Sequence, residues 1–396
     1  LIQRLDLGNG AVITNAFDGA GRWTETVLRT GGGTLRNRHA YGYNAANQRT
    51  AVTNDAGNGW AYAYDGLGQL TGAVGRESGG TTRLQEQFGY AYAAAGNLSQ
   101  RTNNALVQSF SVNNLNQLSG GSRSGTLTVA GMTTPAATNV TINSLSATLY
   151  GDATFAREGF TVTNGLNSFT AVAEDALGRT AAHTVSVNLP ASPTFAYDDN
   201  GNLVSDGRRG FAYDDENQLV SVTVTNAAQT KYAYDGRMRL RVRTECVWQN
   251  SAWATNAVVR YVYDGMLVVQ ERDGNNLPVA TYTRGQDLSG SFEGAGGIGG
   301  LLARTDNGLL LGSGSPLTHV CYHADGNGNV TALTGGGEQI AGRYVYDPYG
   351  NLLGSQGPMA EANRYRFSSK EWHTNAALYY YGYRFYESSL QRWLRR

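Results

Sequence analysis

The sequence predicts an all-β protein built from repeated β-hairpins. One phrase, aromatic-x-Tyr-Asp-x-x-Gly/Asn-x-Leu, recurs along the chain, as in FAYDDNGNL from Phe195 and FAYDDENQL from Phe211. Glycine is abundant, with 52 of 396 residues, whereas proline is rare, with 7. This composition suits short strands joined by tight turns, and the apolar residues show no sustained 3.6-residue spacing. A recurring unit of this size indicates a stacked, repetitive architecture.

Each copy of the phrase is predicted to form one hairpin. Tyr232 and Tyr234 are two positions apart and so share one face of a strand. Asp235 follows where the chain must reverse, because Asp can hydrogen-bond its own backbone and Gly or Asn tolerates positive φ. A lone hairpin is marginal in water, so we expect neighbouring copies to stack. The alternative is that each Tyr-Asp pair forms a sugar or metal site, but an Asp beside a turn needs no ligand to explain it. We interpret the following as structural repeat residues: Tyr64, Asp65, Tyr197, Asp198, Tyr213, Asp214, Tyr234, Asp235, Tyr263, Asp264, Tyr346 and Asp347.

Charge and composition narrow the class of function. The 31 basic and 31 acidic residues balance, which argues against a nucleic-acid partner, because such a partner requires a basic face. No run of 18 apolar residues occurs, so we expect no membrane-spanning helix. Cys246 and Cys321 allow one disulfide, but they cannot support a disulfide-built fold.

No cofactor is predicted, although two stretches carry residues that are typical of ligand-binding sites. GAGGIG at 294–299 has the glycine spacing of a dinucleotide loop, but a glycine-rich stretch follows it where a helix is required. In HVCYH, the zinc-type ligands His319, Cys321 and His323 share one face of a predicted strand. We interpret them as packed strand residues and keep a metal site as the alternative, because one strand alone cannot surround a metal ion.

The repeat is interrupted between two arrays. Residues 122–193 alternate Val, Thr and Ile with polar residues, which predicts a small β-sandwich. This insert resembles bacterial immunoglobulin-like domains, most closely in FTAVAEDALGRTAAHTVSV. We therefore divide the chain into a repeat array at 1–121, the insert at 122–193, a second array at 194–364 and a terminal segment at 365–396. Residues near 120 and 194 are expected to lie close together, because the repeat resumes at 195.

The terminal segment differs from the repeats in composition. It reads YRFSSKEWHTNAALYYYGYRFYESSLQRWL, and this density of aromatic side chains must pack on something or bind something. LYYYGYRFYE has the pattern of a strand. SSLQRWLRR predicts a short helix capped by Ser388 or Ser389, with Glu387 as an acid at its N-terminus.

The array and its ending resemble the rearrangement-hotspot (RHS), or YD-repeat, family. Residues 365–394 are similar to the repeat-associated core of that family, and CYHADGNGNVTALT and RYVYDPYGNLLG resemble the stretch before it. The resemblance implies a bacterial, secreted or cell-surface protein whose hairpins wind into a hollow shell around a toxin-type C-terminal polypeptide. The implied partner is this C-terminal cargo of the chain itself. Since the sequence starts within the pattern and stops at RWLRR, we expect a shell fragment from which the cargo is absent.

Two other functions are kept as alternatives to this structural one. One is a cell-surface binding protein that holds glycans or other cells. The other is a self-cleaving aspartyl protease. The resemblance implies an Arg-x-Tyr-Asp-Pro motif followed by a short helix and a second Asp-Pro, where self-cleavage is associated with a pair of aspartates. Arg384 and Tyr386 match that motif and make Arg384 and Glu387 the candidate catalytic residues, but Glu387-Ser388 replaces Asp-Pro. We therefore expect that the chain is not an enzyme.

Overall fold

A computed structural model describes residues 2–133, 137–308 and 318–395. Regular structure in these ranges is antiparallel strand, apart from one 3-10 turn at Phe367–Ser369, so the predicted all-β fold class is confirmed. Within the same ranges, no helix has the length and apolar character needed to cross a membrane. Part of the glycine-rich stretch that follows GAGGIG, residues 309–317, lies outside the described residues.

The first sheet contains eleven strands, and each pairs with its neighbour in sequence. The order in space therefore equals the order along the chain, as expected for stacked hairpins. The strands are β1 Arg4–Asp6, β2 Val12–Phe17, β3 Trp23–Arg29, β4 Leu35–Tyr43, β5 Arg49–Asn54, β6 Gly59–Tyr64, β7 Leu70–Arg76, β8 Thr82–Tyr92, β9 Leu98–Asn103, β10 Leu106–Val112 and β11 Leu118–Ser124.

The insert forms two small sheets that face each other. A three-stranded sheet has the order β12-β16-β15, and a four-stranded sheet has the order β14-β13-β17-β18. Their shared core contains Val140, Ile142, Phe155, Phe160 and Phe169. The strands are β12 Leu127–Met132, β13 Ala137–Ile142, β14 Leu145–Ser146, β15 Thr148–Leu149, β16 Thr154–Phe160, β17 Gly165–Asp175 and β18 Thr180–Leu189.

The second sheet contains fourteen strands, again in sequence order. A separate four-stranded sheet follows it at the C-terminal end. The second sheet consists of β19 Ala196–Tyr197, β20 Leu203–Ser205, β21 Arg209–Tyr213, β22 Leu219–Val224, β23 Ala228–Tyr234, β24 Leu240–Gln249, β25 Ala252–Asp264, β26 Leu267–Arg272, β27 Pro278–Arg284, β28 Leu301–Asp306, β29 His319–Ala324, β30 Val330–Gly335, β31 Ile340–Tyr346 and β32 Leu352–Gln356. The terminal sheet consists of β33 Glu371–His373, β34 Leu378–Tyr380, β35 Phe385–Glu387 and β36 Arg392–Trp393.

The turn in each Tyr-Asp copy is closed by its aspartate. In the copy at Tyr64, the Asp65 carboxylate accepts hydrogen bonds from the backbone N–H groups of Leu67 and Gln69, each at 2.9 Å. The N–H of Gly68 donates to the Asp65 carbonyl at 3.1 Å. Gly68 has φ of +83°, and this left-handed conformation accounts for Gly or Asn at the position. The same aspartate-capped turn is formed at Asp198, Asp214, Asp235 and Asp347, whereas Asp264 instead pairs with Leu267 across a two-residue turn.

The tyrosine of each pair joins its hairpin to the preceding one. The Tyr64 hydroxyl donates to the carbonyl of Arg49 at 2.7 Å, and the Tyr92 hydroxyl donates to the carbonyl of Leu70 at 2.9 Å. In each case the acceptor is the first residue of the strand that follows the previous turn. The same bond links Tyr43 to Trp23, Tyr213 to Leu203, Tyr234 to Leu219, Tyr263 to Leu240 and Tyr346 to Val330.

A bulge lies immediately before the tyrosine in copy after copy. The pairing register of β6 with β7 shifts between Ala63 and Tyr64. Equivalent shifts precede Tyr92, Tyr213 and Tyr234. A bulge bends its strand and increases the local twist, so repeated bulges curve both sheets at regular intervals.

The array continues past the insert. Gly120 forms an isolated antiparallel bridge with Thr194, and the Gly121 N–H donates to the Pro193 carbonyl at 3.0 Å. The two ends of the insert therefore lie side by side.

The helix predicted at the C-terminal end is wrong. Glu387 ends β35, Arg392 begins β36, and these two residues pair with each other in an antiparallel hairpin. The residues between them form a turn in which Gln391 has φ of +56°. Ser388 and Ser389 therefore do not cap a helix. The tertiary pairing of β36 with β35 overrides the local capping pattern.

We predict that Met238→Asn stabilises the protein. Met238 takes the turn position of Gly68 in its copy, with φ of +61°, and its side chain is 43% exposed. A left-handed conformation costs an ordinary side chain about 1 kcal/mol or more, and Asn tolerates it better. We expect the free energy of unfolding to rise by about 0.5–1 kcal/mol in urea titrations. The matched control, Gly68→Ala, should lower it, and an unchanged midpoint for Met238→Asn would contradict the prediction.

Candidate functional site: the inner face of the second sheet

Residues 365–394, here called the C-terminal segment, pack against one face of the second sheet. We call that face the inner face. Its buried side chains include Tyr232, Leu240, Tyr261 and Tyr282. The same hydrophobic cluster continues into the segment through Ala376, Leu378, Tyr380, Phe385 and Leu394. Of the aromatic residues that the sequence concentrates at its end, Tyr365, Tyr380 and Phe385 are buried on this face, whereas Tyr383 and Trp393 are exposed.

A buried charge group fixes the middle of the C-terminal segment. Glu371 accepts hydrogen bonds from the Arg243 guanidinium at 2.8 Å and from the Tyr261 hydroxyl at 3.0 Å. His373 Nε2 lies 3.3 Å from the second oxygen of Glu371, and His373 Nδ1 lies 3.1 Å from the Tyr232 hydroxyl. All of these side chains are buried. Removing one partner of such a group would leave an uncompensated buried charge, which typically costs about 3–5 kcal/mol.

The pKa values follow from burial and from the neighbouring charges. Burial alone would raise the pKa of Glu371, but Arg243 and His373 reverse this and lower it to about 2. Burial lowers the pKa of His373, and the Arg243 charge lowers it further. Glu271 lies on β26, which pairs with the strand that carries Tyr261. Burial raises the pKa of Glu271, and the Glu371 charge raises it further. The Glu271 carboxylate accepts a hydrogen bond from Tyr282 at 2.8 Å.

A second charge group fixes the end of the segment and contains the candidate catalytic residue Glu387. One nitrogen of Arg209 contacts both Glu387 and Asp206, the latter at 2.7 Å. The other oxygen of Glu387 accepts hydrogen bonds from the N–H and hydroxyl of Ser389, at 3.1 and 2.7 Å. Burial would lower the pKa of Arg209, but Glu387 and Asp206 outweigh it and raise the pKa. Arg384, the other candidate, instead places its guanidinium 4.2 Å from the ring centre of Trp393.

Two of the three candidate metal ligands on β29 contact each other, since His319 Nε2 lies 3.9 Å from Cys321 Sγ, whereas His323 has other partners. His319 hydrogen-bonds Thr305 at 3.0 Å, and His323 hydrogen-bonds Thr26 at 3.0 Å. Cys321 is a buried free thiol in a small apolar cluster with Leu7, and Cys246 is also a buried free thiol. Across residues 2–133, 137–308 and 318–395, no three His, Cys, Asp or Glu side chains are grouped as metal ligands.

The GAGGIG loop encloses an internal carboxylate. The N–H groups of Ala295 and Gly297 donate to one oxygen of Asp287 at 2.7 and 3.0 Å, and Asp287 is buried. The N–H groups that would bind a phosphate in a dinucleotide loop are therefore engaged within the chain. Strand β28 follows the loop, whereas a dinucleotide fingerprint requires a helix there.

Contacts between the two sheets join residues about 300 positions apart. His323 on β29 forms hydrogen bonds with Thr26 at 3.0 Å and with Asn37 at 2.9 Å. Arg343 on β31 pairs with Asp55 at 3.1 Å. A cavity of about 390 Å³ lies at this junction. Its lining includes His39, Arg49, Trp60, Tyr62, Asp55 and Arg343, and Arg49 is held by Asn327 at 2.8 Å.

Sequence reasoning missed the buried arginines. Arg83 is fully buried and contacts Glu77, Glu86 and Asp152, so it joins the hairpin β7–β8 to the insert. Arg243 plays the same role at the C-terminal segment. The residues two positions from Arg243 are Arg241 and Glu245, and Gln85 lies two positions after Arg83, so the strand pattern gave no signal that either arginine is buried.

The sequence is similar to a repeat family and to two known proteins. A repetitive, hairpin-based all-β architecture defines the class of protein. The family model "RHS Repeat" matches residues 43–82. The tRNA3(Ser)-specific nuclease WapA of Bacillus spizizenii is 27% identical over 199 residues, which are 49% of this chain and 7% of that protein. The tRNA nuclease WapA of Bacillus subtilis is 24% identical over the same shares. These matches support an RHS/YD-repeat protein, and the chain spans a small part of the length of these relatives.

Solved structures of assemblies that contain TccC3 also align with the chain. "Crystal Structure of TcdB2-TccC3-Cdc42" covers 98% of this chain and 19% of that chain, with a TM-score of 0.43 and 17% identity. The Photorhabdus luminescens Tc holotoxin pore covers 100% of this chain and 19% of that chain, with a TM-score of 0.40 and 17% identity.

We predict that acid weakens the contact between the two sheets. Burial, together with the charges of His39 and Arg343, lowers the pKa of His323 well below 6.5. The unfolded chain therefore takes up a proton first, so the free energy of unfolding falls as the pH drops below about 6.5. One such histidine contributes up to about 1.4 kcal/mol per pH unit. His323→Gln should reduce this slope in denaturant titrations between pH 7 and 5.

An exposed residue away from the contact between the two sheets provides the control for the pH experiment. Leu67 occupies a turn position and is 85% exposed, so Leu67→Gln should leave the slope unchanged. Equal slopes for the original protein and for His323→Gln would contradict the prediction.

Proposed function

We propose that this chain is a structural segment of a bacterial RHS/YD-repeat shell, secreted or at the cell surface, that encloses a toxin-type polypeptide following its C-terminal segment. The observation that carries the proposal is the attachment of the C-terminal segment to the inner face through Arg243–Glu371 and Arg209–Glu387. Because the C-terminal segment packs against the inner face, the chain that follows it leaves on that side of the sheet.

The array is suited to a structural role because its repeated residues are used in its own construction. The tyrosine hydroxyls bond the preceding hairpin, and the repeat aspartates other than Asp264 cap their turns, so these groups are already engaged within the array. The curated relatives are named as nucleases, although the matched region covers only 7% of their length. This supports a division between a repeat array that forms the structure and a separate part that carries activity.

We predict that a polypeptide fused after Arg396 is protected from proteases. The fusion would carry an unstructured, lysine-rich tail, and trypsin cleavage of the tail would be followed by gel densitometry. Enclosure should slow cleavage at least about tenfold, because proteolysis requires an accessible, extended chain. The control is the same tail fused before Leu1. Equal cleavage rates at the two ends would contradict enclosure.

We also propose that the chain does not cleave itself. An aspartyl mechanism needs two nearby carboxyls, one of which donates a proton while the other accepts it. Here the carboxylates of Glu387 and Asp206 are both bound to Arg209, so a cation lies between them. The remaining oxygen of Glu387 is occupied by Ser389. This arrangement supports a structural role for Glu387, namely fixing the end of the C-terminal segment.

We predict that Glu387→Asp permits cleavage that Glu387 does not. The experiment extends the chain with a tail that carries the second Asp-Pro of the RHS motif and measures intact mass over time. The shorter Asp side chain withdraws its carboxyl from Arg209, and a displacement of about 1 Å can change a rate roughly a hundredfold. We expect no cleavage with Glu387 and some with Glu387→Asp. Efficient cleavage with Glu387 unchanged would overturn the proposal.

A further inference from the structure

Most sheet edges in the described part of the chain are short, charged or covered. Strand β1 has three residues and carries the Arg4–Asp6 ion pair. Strands β14, β15 and β36 have two residues each. Strand β32 lies against β12, and residues 193–194 pair with β11. Such devices keep unpaired backbone groups from pairing with another chain.

Strand β18 is an edge strand that is neither short, nor charged, nor covered by another described strand. It is the edge of the four-stranded sheet and runs for ten residues, Thr180–Leu189, with the sequence TAAHTVSVNL. It contains no Asp, Glu, Lys, Arg or Pro. Its pairing with β17 continues from Gly165 to Glu174 with no register shift, so no bulge turns it away. Eight of its ten residues are exposed. A long, straight, uncharged edge is a template for adding a strand.

One face of β18 also leaves apolar surface uncovered. Thr184 and Ser186 bond Thr170 and Ser168 on the outer face of the sheet, at 2.8 and 2.7 Å. Val185 points to the opposite face, toward the insert core, because it pairs with the core residue Phe169. Even so, Val185 is 50% exposed. The facing three-stranded sheet is too narrow to cover it.

We propose that β18 pairs with β18 of a second copy of this chain. The pairing is antiparallel, two-fold symmetric and centred on Val185, and it joins the two four-stranded sheets into one of eight strands. In this register the two Val185 side chains are opposite each other, and His183 is opposite Val187. Antiparallel residues directly opposite each other share a face, so each Val185 covers the other.

Charge favours a second copy over an unrelated peptide. Because β18 has no charged residue, self-pairing places no like charges opposite each other. The same absence leaves the strand with nothing to select a charged peptide. The inference stands apart from the proposed function, since it uses only residues of the insert.

The test is sedimentation equilibrium on the full chain from low to high micromolar concentration. We expect a molar mass that rises to twice that of one chain. Val185→Lys places two ammonium groups at the symmetry axis and should weaken the dimer at least about tenfold. The matched control is Leu177→Lys in the turn between β17 and β18, where Leu177 is 78% exposed. It should leave the dimer intact, and circular dichroism should show that both variants are folded.

A cross-linking arm tests the register itself. Opposed residues of an antiparallel pair have Cα atoms about 4.5–5.5 Å apart, which a disulfide can span. Val185→Cys should therefore form a disulfide-linked dimer under mild oxidation, whereas Leu177→Cys should not. The natural Cys246 and Cys321 are buried. A protein that stays monomeric, a dimer that persists in Val185→Lys, or no cross-link at Val185→Cys would overturn the proposal.

Discussion

The bond from each repeat tyrosine to the preceding hairpin is the interaction on which the array depends. Strand pairing alone would allow successive hairpins to slide, because one register of a polar ladder resembles the next. The Tyr234 hydroxyl removes this freedom by bonding the carbonyl of Leu219, and the bulge before Tyr234 aims the side chain at that carbonyl. Each bond contributes only about 1 kcal/mol. Its value lies in repetition, since every copy sets the position of the next.

Two physical demands of the fold meet at the C-terminal segment. A curved sheet with tyrosines on its inner face must cover them, and the segment does so with its own aromatic side chains. Burying Arg243 and Glu371 in this contact costs solvation, so the pair contributes less to stability than to specificity of position. An apolar segment could slide along an apolar face. A buried guanidinium prevents this, because it binds its carboxylate partner at one position only.

Local patterns predicted the units of this structure, whereas distant partners left no signal. The turn at Asp65 could be predicted because all of its hydrogen bonds lie within five residues. Nothing near His323 in the sequence indicates Thr26, and nothing near Glu387 indicates Arg209, because these contacts depend on how the sheets curve. The predicted C-terminal helix failed for a related reason. Ser388 and Ser389 suit a helix cap and a turn equally well, and the pairing of Arg392 with Glu387 decided between them.

The insert and the repeat array differ in how their strand edges are covered. Because successive copies need only a strand ladder and one tyrosine bond, an insertion is tolerated wherever its two ends return side by side. Arg123 helps to hold those ends, since its guanidinium bonds the carbonyls of Thr163 and Leu189 at 2.8 and 2.7 Å. In the array, the edges of all but the first and last strands of each sheet are covered by neighbouring strands. The insert has no next copy within the chain, and its last strand, β18, therefore keeps the open edge that the array is built to remove.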